Sequence, residues 1–149
     1  MATAQREQTW GGLLVKRWEQ SSRKIAELAE AFPPEALESR PTDDVRTAGQ
    51  VLRHVAFWNR YVADSLRGKE ADESANELPR ESYPTKASLL EELKRGAEEV
   101  STLLGELQNS LDANAAELVM SFVEHTSEHY GQLAAYARWN KIVPPASRT

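Results

Sequence analysis

At 149 residues, 40% of them apolar and 28% charged, the chain has the size and balance of one globular domain, enough to bury about 70% of its unfolded surface in a single core. The net charge of -5 argues against a nucleic-acid surface, which needs clustered Lys and Arg, and no apolar run approaches the roughly 20 residues that span a bilayer. With no cysteine there are no disulfides, thiolate ligands or cysteine nucleophile, so any thiol chemistry must bring its thiol from outside.

The N-terminal MATAQREQTWGG lacks a basic stretch followed by an apolar run and a small-residue cleavage site, so the expected location is the cytoplasm. Beyond it, four segments carry apolar residues at helical spacing and none shows sustained strand alternation, which predicts an all-α fold. The first runs from about Glu7 to Phe32, with Trp10, Leu14, Trp18, Ile25, Leu28 and Phe32 on one stripe, and Pro33-Pro34 ends it. The second runs from about Thr47 to Leu66 with Val51, Val55, Trp58 and Val62 inward, Thr47 as N-cap and Gly68 just past the end. The third begins after Pro84 with Thr85 as cap and Leu89, Leu93, Val100, Leu103 and Leu107 as its stripe. The fourth opens at Asn114, with Glu117 in a capping-box position, and continues to about Asn140 before Pro144-Pro145. Trp10, Trp18 and Trp139 are expected in the core, the alternative being interface anchors.

Residues 1–149 are therefore expected to form a single four-helix bundle domain without internal repeats. The connections PPEALESRPTDDVR and GKEADESANELPRESYP, between helices 1–2 and 2–3, exceed the roughly 2–8 residues usual between neighbouring bundle helices. They are expected to cross the bundle ends or to act as lids.

The chain has three histidines, two of them in HTSEHYGQL, residues 125–133. At about 100° per residue His129 lies some 40° round the helix from His125 and one turn along it, on the stripe of Leu118, Phe122, Gln132 and Tyr136. The same projection puts His54 with Gln50, Val51, Trp58 and Tyr61 on the inward face of the second helix. A single inward histidine is more often a hydrogen-bonded core residue than a ligand. Three converging from two helices meet what a three-imidazole metal site requires, provided those helices are neighbours.

HTSEH also fits HxxEH, the order of inverted zinc proteases, whose third, carboxylate ligand lies far downstream. No Asp or Glu follows His129, so the protease reading fails unless that ligand lies upstream. Glu128 is left as a base, a partner of a ligand, or a solvated residue, the last two preferred. Tyr61 is a second candidate for a catalytic role, and Gln50, Gln132 and Tyr136 are candidates to line the site or hold a cofactor. Three neutral imidazoles leave a divalent ion its full charge and an open position. Such an ion lowers the pKa of bound water or of a thiol. Zinc and nickel suit imidazole, and iron and cobalt also fit.

QVLRHVAFWNRYV, NELPRESYPTK and VEHTSEHYGQLAAYARWNKIVPPAS together resemble the DinB/YfiT-like family of inferred metalloenzymes, over nearly the whole chain. The resemblance implies a four-helix bundle with unusual connections and a metal triad falling on His54, His125 and His129. It also implies a divalent metal, often nickel or zinc, and frequent homodimers. Some relatives are transferases or isomerases that use bacillithiol, mycothiol or glutathione, others are called metal-dependent hydrolases, and many have no assigned reaction. Relatives often read Asn-Gly where this chain has Asn140-Lys141. Either Asn140 then takes the left-handed conformation that suits a helix end, or Lys141 bears the strain.

The leading expectation is a metal-dependent enzyme that activates a low-molecular-weight thiol for transfer to a small electrophile. Arg46, Arg53, Arg60 and Arg138 are available to an anionic thiol, although such arginines are commonly solvated or salt-bridged. The alternatives are a metal-dependent hydrolase using metal-bound water and a non-catalytic metal-binding stress-response module. The expected partner is a small-molecule substrate, with neither nucleic acid nor membrane.

Overall fold

The computed structural model describes residues 9–149. Its long elements are α1 (Trp10–Ala31), α2 (Ala48–Leu66), α3 (Lys86–Leu107) and α4 (Ala113–Trp139), with no strand among the described residues. The chain is an all-α bundle. Each start is fixed by a side chain that accepts from an otherwise unpaired N–H of the first turn. Thr9 takes that role for α1, Thr47 for α2, Thr85 for α3 and Asp112 for α4. The expected start of the first helix at Glu7 lies outside the described residues.

Two details differ from the sequence reading. The fourth helix is capped by Asp112, whose carboxylate accepts from Ala115 N–H at 2.8 Å, so Asn114 sits inside the first turn. On α3 the buried stripe passes from Val100 to Leu104, four residues on, leaving Leu103 and Leu107 half-buried. The tryptophans also divide. Trp18 is buried and donates its Nε1–H to the Ala97 carbonyl at 3.0 Å, whereas Trp10 and Trp139 are 84% and 55% exposed and lie outside the core.

Around the bundle, α2 touches α3 and α4, and α1 touches the same two, so α1 and α2 stand on one diagonal and α3 and α4 on the other. The step from α1 to α2 is made by the long 32–47 connection, which holds a single 3-10 turn at Pro34–Glu38. The 67–85 connection folds back onto α2, where Leu78 N–H reaches the Arg53 carbonyl at 3.3 Å and the Leu78 side chain is buried. At the short α3–α4 turn α1 comes so near that a Cβ on Gly11 would lie 2.1 Å from the Gln108 carbonyl oxygen. Only glycine fits there.

The core falls into two clusters along the bundle. One is built on Ile25, Leu28, Phe32, Val51, Leu52, Val55, Leu89, Leu93 and Leu133. The other is built on Trp18, Val62, Val100, Leu104 and Val119. On α4, His125 and His129 fall between Val119 of one cluster and Leu133 of the other. The apolar packing on either side holds the polar stretch in place.

Candidate metal centre

The three histidines meet on the α2–α4 seam. Taking one ring nitrogen from each, the donor atoms all lie within 4.8 Å of one another. His54 Nε2 and His125 Nε2 are 2.9 Å apart, and the ring centroids are separated by 4.5 to 4.8 Å. His54 is buried, while His125 and His129 are half-buried, so the more exposed part of the cluster is its α4 half.

Two of the rings are oriented by partners whose chemistry fixes the tautomer. His54 Nδ1 lies 2.7 Å from the carbonyl of Asn76, and because a carbonyl only accepts, Nδ1 carries the proton and Nε2 presents a lone pair. The orientation of His129 follows from a chain that starts at a second carbonyl. Tyr136 donates its hydroxyl proton to Arg46 O at 2.8 Å, so the phenol oxygen accepts from Gln132 Nε2 at 3.1 Å. That turns Gln132 Oε1 toward His129 Nδ1, 2.8 Å away, which must then donate. His129 Nε2 is left bare as well.

This donor set fits a divalent ion. Zinc–imidazole distances of about 2.0–2.1 Å put neighbouring tetrahedral donors roughly 3.3 Å apart, within the spread seen here. His54 Nε2 and His125 Nε2 face each other at 2.9 Å, a separation bridged either by the Nε2–H of a neutral His125 or by a cation bound to both nitrogens. Protonation is disfavoured. Burial, with Arg46 and His129 nearby, holds His54 down to about 4 despite the Asn76 carbonyl. Burial, then His129, His54 and Arg46, holds His125 at about 3. Near pH 7 both are neutral imidazoles, the form that ligates.

An aromatic wall stands beside the cluster. Trp58 stacks on Phe122 with centroids 5.3 Å apart, Tyr61 packs edge-on to Trp58 at 4.9 Å, and Phe122 lies 5.4 Å from His125. Trp58 is pinned by its Nε1–H, which donates to Asn76 Oδ1 at 2.8 Å. Asn76 therefore holds a histidine by its backbone and the wall by its side chain, from a φ of 58° that asparagine tolerates better than most residues. The sequence offered only a turn-forming asparagine in an acidic loop, with no sign that it docks on α2.

The remaining candidates scatter. Gln132 and Tyr136 serve the cluster, but Gln50 is occupied in the α2 capping box, accepting from Thr47 N–H at 2.8 Å. Glu128 is exposed, and Tyr61 contributes its ring to the wall; neither hydrogen-bonds to an imidazole. Arg46 pairs with Glu77 at 3.4 Å, Arg60 with Glu92 at 2.6 Å and with the Tyr83 hydroxyl, and Arg138 is exposed on the last turn of α4. Arg53 is buried beside His54 in the chain.

Fold and site together define a helical bundle with a three-histidine centre able to hold a divalent metal ion. The chain belongs to the DinB superfamily, whose family profile matches residues 17–133 and so takes in all three histidines. A search of curated proteins finds no match to the chain. No helix among the described residues is long and apolar enough to cross a membrane.

Proposed function

We propose that the chain is a metal-dependent enzyme whose His54, His125 and His129 hold a divalent ion, zinc or nickel ahead of iron or cobalt, and which transfers a low-molecular-weight thiol to a small electrophile. The observation that carries this reading is the convergence of three ring nitrogens, two of them on imidazoles turned inward by Nδ1–H bonds. When bound, the ion leaves a coordination position open and lowers the pKa of a thiol presented to it. The chain's own residues supply the rest. Asn76 and the Gln132–Tyr136 pair orient His54 and His129, and the aromatic wall of Trp58, Tyr61 and Phe122 offers apolar surface beside the cluster for an organic electrophile. Because the chain has no cysteine, the sulfur comes from a cosubstrate. Its S–H proton leaves to solvent, a carbon–sulfur bond forms, and the electrophile's leaving group departs with the bonding pair.

The test loads the protein with zinc or nickel, verifies one ion per chain, and follows consumption of glutathione, bacillithiol and mycothiol with an aryl halide. Thiol consumption that requires the ion and disappears in His54→Ala is expected. A fully loaded protein that turns over none of these thiols would overturn the transferase reading. Ester hydrolysis without thiol would then mark a hydrolase, and stabilisation by metal without turnover would mark a binding module.

A further inference from the structure

Arg53 precedes His54 in the chain but belongs to a different surface. It forms part of the wall of a cleft of about 810 Å³ between the end of α1, the Pro34–Glu38 turn and the start of α3, and no histidine lines that cleft. Arg53 is 5% exposed, its Nε has no hydrogen-bond partner, and none of the ion pairs among the described residues includes it. No nearby carboxylate is in contact with it, and three of them are engaged elsewhere. Glu38 grips Arg80 in a fork at 2.8 and 2.9 Å, Glu30 holds Lys94 at 2.6 Å, and Glu77 holds Arg46. Glu81 and Glu91 are exposed to solvent. Of the other cations on the wall, Lys86 donates to the Glu30 carbonyl at 2.8 Å.

A buried guanidinium with no carboxylate in direct contact is costly, because no close ion pair repays its desolvation. The backbone makes room for it. A Cβ on Gly49, one turn earlier on α2, would lie 3.1 Å from Arg53 Nη1 and 3.1 Å from the Leu37 carbonyl oxygen, so the bare glycine lets the guanidinium lie against the helix. The rest of the wall is largely apolar, with Leu37, Leu89, Leu90 and Tyr83 facing the same space.

We propose that Arg53 anchors a second ligand site, separate from the histidines, that takes the carboxylate of a small organic acid while the acid's apolar body rests on Leu37, Leu89 and Leu90. One unpaired fork matches one planar carboxylate. Lys94 and Arg80 are committed to carboxylates, and Lys86, bonded to a backbone carbonyl, is the one further cation on the wall, so a phosphate dianion would be less fully matched than a single carboxylate. The site stands whether or not the histidines bind a metal.

The experiment is a ¹H–¹⁵N NMR titration of the metal-free full chain with hexanoate and benzoate, and with hexanol and inorganic phosphate as controls. Expected are saturable shifts of the Arg53 Nε–H and the Leu89 and Leu90 amides with the two carboxylates, and at least tenfold weaker binding to Arg53→Met and to the two controls. Without ligand, Arg53→Met should melt at or above the parent temperature, because it removes an uncompensated charge and keeps the stem. No saturable shift with either carboxylate would overturn the proposal, as would phosphate binding equally well, unchanged binding in Arg53→Met, or a marked loss of stability in that variant. The last result would mean that the guanidinium is a structural partner.

Discussion

Lys141 carries a φ of 61° one residue past the last helical cap, a conformation that costs a side-chain-bearing residue about 1 kcal/mol or more. It is held there by paired bonds across the helix end, Lys141 N–H to Arg138 O at 3.0 Å and Ile142 N–H to Ala137 O at 2.8 Å. Asn140, the other residue suited to the left-handed turn, stays at φ -85° because its amide is spent on Tyr136 O and Ser39 Oγ, at 2.9 and 3.0 Å. Lys141→Gly should therefore stabilise the chain by about 0.5–1 kcal/mol, the relief of strain outweighing the added freedom of the unfolded state. Thermal melts would show a rise of a few degrees. An unchanged or lowered midpoint would mean that the Lys141 side chain contributes more than its backbone costs.

At the level of single helices, α4 does two tasks with one face. His129, Gln132 and Tyr136 succeed one another at steps of three and four, and Tyr136 closes on the carbonyl of Arg46, just before α2 begins. The face was legible in the sequence because helical periodicity alone aligns these residues. The carbonyl that anchors them was not, since it lies 90 residues away and carries no side-chain signature. The same limit applied at the helix start, where Asp112 and Asn114 are both good caps and only the bond to Ala115 N–H separates them. Removing the anchor gives a prediction. Tyr136→Phe keeps the ring but frees Gln132, and Gln132→Ala leaves His129 Nδ1 without its acceptor. Both should weaken zinc binding about 10- to 100-fold, while the lost hydroxyl costs only about 0.5–1.5 kcal/mol of stability. Competition with a chromogenic chelator reads the affinity and melts of the metal-free chains read the stability. Affinity equal to the parent in both variants would mean that backbone packing alone aims His129.

Across the whole molecule, the diagonal arrangement of α1 and α2 makes α2 and α4 neighbours, and that adjacency decides whether three inward histidines become one cluster. Amphipathic stripes established four helices and their inward faces, but a stripe does not name the partner it packs on. His54 was legible as inward and unassigned until the bundle order was known. Bringing the imidazoles together out of water has a cost that depends on pH. Above about pH 6.5 His54 and His125 are mostly neutral in folded and unfolded chains alike, and their contribution to stability is largely complete. Below that, the unfolded chain takes up protons that the folded chain refuses until pH reaches about 4 at His54 and about 3 at His125. The unfolded state then binds more protons, so stability falls as pH falls through this window, by up to about 1.4 kcal/mol per pH unit for each histidine. Most carboxylates titrate lower, near or below about 4.5, which leaves the interval from pH 6.5 to 5 to the histidines. Urea unfolding of the metal-stripped chain should show this slope, and a His54→Gln/His125→Gln chain should be nearly flat over the same interval. Equal slopes in the two chains would mean that the imidazoles accept protons in the folded state as readily as outside it. Saturating zinc should raise the curve near neutral pH and steepen its fall on acidification, because protons and the metal then compete for the same nitrogens.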